Sequence, residues 1–196
     1  MRRPLALALS LLVALAPAAA RPETAALKPG DVLRGRFVQE RAMQGFAAPL
    51  RSEGRFVIAP GRGLIWRAET PFALTTVVTP AGVAQSLDGT EVTRLSAARL
   101  PFLARLYDML GGALAGDWQA LEGSFIVERS AERVTLTPRR PEEAAASQIA
   151  AITARLGRFV EAVEIVKPGG DRDSLRFEDQ SLNARPLDAA ELDLLR

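Results

Sequence analysis

The sequence predicts a mainly β protein: a meander of about eleven antiparallel strands with one helical interruption. Three observations carry this. Turn residues recur about every ten positions, as in an all-β domain of short strands. The segments between them alternate apolar and polar, the period of a half-buried strand. Hairpins folded independently at successive turns all place their large apolar residues on one face.

The meander is clearest from Gly54 to Leu95. Gly54–Ile58 ends at Ala59-Pro60-Gly61-Arg62-Gly63, a hairpin loop, and Leu64–Glu69 ends at Thr70-Pro71. Phe72–Thr79 ends at Pro80-Ala81-Gly82. Val83–Leu87 ends at Asp88-Gly89, a strong two-residue hairpin signal, and Thr90–Leu95 follows. These turns place Phe56 opposite Trp66, Ile58 opposite Leu64, Leu64 opposite Val78, Val78 opposite Val83 and Leu74 opposite Leu87. One face then collects Phe56, Ile58, Leu64, Trp66, Leu74, Val78, Val83 and Leu87. The other carries Arg55, Arg67, Thr75 and Ser86, with Val57, Ile65 and Val77 among them.

Upstream, Val32–Arg41 is a further strand, with Leu33 and Phe37 in phase. Downstream come Gly123–Arg129, Glu132–Pro138, Ser147–Leu156, Arg158–Lys167 and Asp173–Asp179. The alanines of Ala144–Leu156 also favour helix, but its second half pairs naturally with the segment after Gly157. The helical interruption is Ser96–Trp118. Pro101 suits a first turn, and Leu103, Leu106, Tyr107, Leu110 and Leu114 recur at helical spacing. Gly111-Gly112 weakens its middle. The helix is the available cover for the apolar face. Either the two pack as a solid core, or they part to accept an apolar ligand.

Residues 1–20 stand apart. Arg2 and Arg3 precede the apolar run Leu5–Leu15, Pro17 breaks it, and Ala18-Ala19-Ala20 supplies a small-residue cleavage pattern. This is the form of a secretory signal peptide, with cleavage expected after Ala20. No later stretch approaches the roughly 18 apolar residues of a membrane-spanning helix. Lys and Arg number 25 against 23 Asp and Glu, so Arg2 and Arg3 are the whole excess. The remaining basic residues are scattered, which argues against a nucleic-acid surface.

The composition narrows the chemistry. With no histidine and no cysteine, the chain has no Ser-His-Asp triad, thiol nucleophile, disulfide or His/Cys zinc site, and no lipidation cysteine follows Ala20. Glu122, Glu128 and Glu132, or Asp171 and Asp173, include the candidate acid pairs. Their spacing selects none of them for catalysis over turn and surface roles. No enzyme activity, cofactor or metal is expected.

Several runs carry a family resemblance. Gly35-Arg36-Phe37-Val38-Gln39-Glu40-Arg41 is followed by Pro49-Leu50-Arg51-Ser52-Glu53-Gly54-Arg55-Phe56. Next come Gly63-Leu64-Ile65-Trp66-Arg67, Thr70-Pro71-Phe72, Val78-Thr79-Pro80-Ala81-Gly82, Leu100-Pro101-Phe102-Leu103 and the run from Gly170-Asp171-Arg172 to Leu175-Arg176-Phe177. In order and spacing this resembles the outer-membrane lipoprotein carrier family, LolA and its LolA-like relatives, over residues 33–195.

The resemblance implies a half-open antiparallel β-barrel covered by short helices that act as a lid over an apolar cavity. It implies a monomeric periplasmic carrier of lipoprotein acyl chains or another acylated or polyene lipid. Such a carrier works between an inner-membrane transporter and an outer-membrane acceptor. A lipid- or lipoprotein-sensing module on the same fold is the alternative.

The cavity residues would be Phe37, Phe56, Ile58, Leu64, Trp66, Leu74, Val78 and Val83. Phe102, Leu103, Leu106, Tyr107 and Leu110 would form the lid. Two departures stand out. Pro60 occupies the position of the family's lid-latching arginine, which leaves Arg62 as the candidate latch, and the family's N-terminal helix is shortened. Residues 21–196 would form one carrier domain.

Overall fold

The structure, a computed structural model, describes residues 25–99, 118, 121–140, 142 and 148–196. Among the described residues, eleven strands form one antiparallel sheet. They are β1 (Leu33–Ala42), β2 (Leu50–Ala59), β3 (Gly63–Thr70), β4 (Leu74–Thr79), β5 (Gly82–Leu87) and β6 (Thr90–Ser96). The second half supplies β7 (Phe125–Arg129), β8 (Arg133–Pro138), β9 (Ala151–Leu156), β10 (Val160–Val166) and β11 (Arg172–Leu182). The spatial order is β6-β5-β4-β3-β2-β1-β11-β10-β9-β8-β7. Two meanders are therefore joined along β1 and β11, and among the described residues the sheet is open, with β6 and β7 at its edges. Residues 100–117 of the segment predicted as a helical interruption, and the signal peptide, fall outside the described residues, while Ser96 closes β6 and residues 97–99 form a turn.

The predicted register holds pair by pair. Phe56 faces Trp66, Ile58 faces Leu64, Leu64 faces Val78, Val78 faces Val83 and Leu74 faces Leu87. The Asp88-Gly89 turn has positive φ at both positions, 49° and 80°, as a tight hairpin requires. Propagating the register across β1 and β11 places Leu33, Phe37, Leu175 and Phe177 on the same inner face.

Several boundaries differ from expectation. β2 begins at Leu50, because Leu50–Glu53 pair with β1 although they lack an apolar rhythm. Arg51 instead bridges Glu40 across the strands at 3.1 Å. β4 begins at Leu74 rather than Phe72, whereas β9, Ala151–Leu156, is the second half of its segment, as expected. β11 runs on to Leu182 through an irregularity opposite Gly35, where Asp179 takes a φ of 51°.

The outer face differs most from a single-apolar-face reading. The sequence places Val57, Ile65 and Val77 there among Arg55, Arg67, Thr75 and Ser86, yet Ile65 is fully buried and Val77 is 6% exposed. A C-terminal helix, α1 (Ala189–Leu194), covers them. Leu187, Leu194 and Leu195 pack with Ala59, Ile65 and Val77 in one cluster. The helix starts with a capping box. Asp188 accepts from the Glu191 N–H at 2.8 Å, and Glu191 accepts from the Asp188 N–H at 3.0 Å. Ile65→Ala should therefore destabilise the fold by about 2–5 kcal/mol, read from urea denaturation, although Ile65 lies on the side away from the inner face.

Candidate functional site

The inner face changes character along the strands. At the end where β1 starts, it is closed by packing. Leu27, Leu33, Phe37, Phe56, Ile58 and Phe159 form one buried cluster, joined by Leu64, Trp66 and Phe177. The segment before β1 seals this end, with the Ala25 N–H donating to the Arg158 carbonyl at 2.7 Å. An aromatic quartet forms the floor. Phe37 and Trp66 stack with centroids 3.8 Å apart and 24° between planes. Phe177 meets Phe56 edge-on at 5.4 Å and Trp66 at 6.1 Å. Each such pair adds about 0.5–1.5 kcal/mol beyond the area it buries.

At the opposite end the face opens into a groove of about 580 Å³. Trp66, Ala68 and Leu74 supply apolar wall, and Leu50 and Phe72 stand at the rim, 54% and 72% exposed. Gln39, Arg41, Thr76 and Gln85 add polar groups. Gln85 donates to the Thr76 hydroxyl at 3.0 Å. Arg41 is held by Asp173, with Nε to Oδ1 at 2.6 Å and Nη2 to Oδ2 at 3.3 Å. The volume lies within the range of about 300–1,000 Å³ usual for ligand sites.

A sequence profile described as "Outer membrane lipoprotein carrier protein LolA-like" matches residues 24–174. The chain belongs to this LolA-like family. No curated protein matches it by sequence. Among solved structures, a LolA superfamily protein from Nitrosomonas europaea is 11% identical over 84% of this chain and 91% of its own, with a TM-score of 0.42. A DUF1329 family protein from Desulfovibrio piger is 10% identical over 86% and 92%, with a TM-score of 0.44. The Pseudomonas aeruginosa MucA/MucB complex is 15% identical over 82% of this chain and 55% of the matched chain, with a TM-score of 0.38.

In this LolA-like fold the eight residues expected to line a cavity separate into groups. Trp66 and Leu74 line the groove. Phe37, Phe56 and Ile58 are buried in the closed end, where Leu64 packs against them, and Val78 is buried 7% exposed. Val83 borders a different recess of about 350 Å³ that also touches α1 through Asp193 and Leu194. Arg62 sits exposed on the β2–β3 hairpin, at the closed end and away from the groove. The lid residues Phe102, Leu103, Leu106, Tyr107 and Leu110 lie outside the described residues.

Sequence reasoning missed the polar half of the groove. Arg41 and Asp173 meet only because β1 pairs with β11, a contact spanning 132 positions. Both residues stood inside the runs that carried the family resemblance, so alignment of those two runs as paired strands was the available signal. Two of the candidate acid residues, Asp171 and Asp173, have structural partners. Asp171 accepts from the Gln44 N–H at 3.0 Å, and Asp173 is occupied by Arg41 and Lys167.

Proposed function

We propose that the chain is a periplasmic carrier that holds the acyl chains of a lipoprotein or related acylated lipid on this inner face. It is exported by a signal peptide cleaved after Ala20, and it takes cargo from an inner-membrane transporter to an outer-membrane acceptor. The observation that carries this reading is the open groove continuous with an aromatic floor, in a chain of the LolA-like family. Each methylene withdrawn from water contributes about 0.8 kcal/mol. An acyl chain free in the periplasm is therefore strongly disfavoured, and a groove that shelters part of it offsets that cost.

The test is native mass spectrometry of the chain expressed in a bacterial periplasm and purified without detergent. Co-purified acylated cargo supports carriage. A bare protein that also fails to bind acyl probes overturns it.

Two substitutions separate binding from folding. Leu74→Glu puts a carboxylate at a half-buried groove position and should lower acyl-probe affinity at least about tenfold while the fold persists. Leu64→Glu places the same charge against the closed cluster and should destabilise the protein itself. Unchanged probe binding by a folded Leu74→Glu variant would move the site away from this groove.

A further inference from the structure

The open end of the groove is not simply apolar. Asp173 is 6% exposed and receives two cations, Arg41 at 2.6 Å and Lys167 Nζ at 3.3 Å. Arg41 spends Nε and Nη2 on this carboxylate, so its remaining N–H groups have no part in that contact. Its side chain is 43% exposed and lines the groove. One carboxylate holds two cations in this contact, while Asp171 accepts from the Gln44 N–H and Glu164 pairs with Arg172. What the groove presents is therefore the directed N–H groups that Arg41 has left over, beside the charge of Lys167. Asp173 also fixes the orientation of the guanidinium, so little ordering remains to be done when an anion arrives.

We propose that this end of the groove binds the anionic headgroup of an amphiphilic lipid, carboxylate or phosphate, while the hydrocarbon lies along Leu74 and Trp66. The inference rests on the carrier reading and narrows its cargo to acidic lipids. Arg41 supplies directed hydrogen bonds to the anion, and Lys167 adds charge beside it. Leu50 and Phe72 flank the mouth where the chain enters.

The experiment titrates the purified chain with hexadecanol, palmitate and monohexadecyl phosphate, three amphiphiles of equal chain length. Each competes against a fluorescent acyl probe at pH 8 and low salt. At least one anion should bind about tenfold or more tighter than the alcohol, and added salt should shrink that margin. The ratio between palmitate and the phosphate ester names the headgroup class.

Lys167→Gln should reduce the preference with the Arg41–Asp173 pair intact, and Arg41→Gln should abolish it while alcohol binding persists. Equal binding of alcohol and anions, or a preference that survives in the double variant, overturns the headgroup site and leaves the carrier reading standing. Failure of all three amphiphiles to bind overturns both.

Discussion

Glu191→Ala is expected to cost about 3–5 kcal/mol of stability, although the residue lies on the outer face and far from the groove. Its side chain is 3% exposed and holds two arginines, Arg34 at 2.7 Å and Arg185 at 2.9 Å. Arg34 is itself only 13% exposed, so deletion of the carboxylate leaves a cation enclosed without its partner. The capping box of α1 is lost in the same step. Arg34 also donates to the carbonyls of Arg185 and Pro186, so the segment leading into α1 is tied to β1 through this cluster.

Acid should reproduce part of this effect. Burial alone would raise the Glu191 carboxyl. The Asp188 N–H and the Arg34 and Arg185 guanidiniums together hold it below its ordinary 4.5. A depressed carboxylate contributes stability that is present above its unfolded value and is lost as pH falls through the lower folded value. Glu191→Gln should therefore flatten the acid limb of a stability-against-pH curve, measured by urea denaturation in steps below pH 5. An acid limb that matches the unsubstituted chain would show that the charge of Glu191 plays no part.

The second large effect is expected at Gly54. A Cβ placed there would lie 1.8 Å from the Arg67 carbonyl oxygen and 2.9 Å from Ala68 Cα. Both are backbone atoms of β3, so no side chain can swing aside. The register between β2 and β3 shifts at this point, between Glu53 and Gly54. Gly54→Ala should force the two strands apart and cost more than about 4 kcal/mol, or prevent folding. Comparison with Gly61→Ala separates close approach from backbone strain. Gly61 has a φ of 77° but open space around it, so the milder loss is expected there. Circular dichroism melts of the two variants check the ranking.

These residues show what the sequence could express about the fold. The pairing from β2 to β6 was legible because Gly61, Pro80-Ala81 and Asp88-Gly89 each fix a hairpin, and all three agree on phase. The cover of the outer face was not legible from the strands. Ile65 and Val77 pair with each other and with Val57 and Ala84 across the outer face, between Arg67, Thr75 and Thr79 along their own strands, and the distant α1 covers this row. The sequence Asp188-Ala189-Ala190-Glu191 did advertise that helix, as a capping box, although the apolar stretch behind it is short.

The candidate site divides in the same way. Trp66 and Leu74 follow from local alternation and do line the groove. Phe37, Phe56 and Ile58 share their face but lie in the closed end, because alternation assigns a face and not a position along it. Arg41, Asp173 and Lys167 depend on strand pairing between the two halves of the chain, which no local period encodes.

That pairing has a consequence for how the protein is made. Within each meander a strand finds its partner from its immediate neighbour, through short loops that close quickly. The seam between β1 and β11 is different, since Val32 bonds Asn183 across 151 positions. β1 sits at the centre of the sheet, yet one of its edges stays unoccupied until β11, Arg172–Leu182, is available. A polypeptide emerging in order thus presents β1 as a bare template until residues 172–182 follow. Pairing at the wrong edge is the hazard of that interval, and assembly of this sheet is timed by the arrival of residues 172–182.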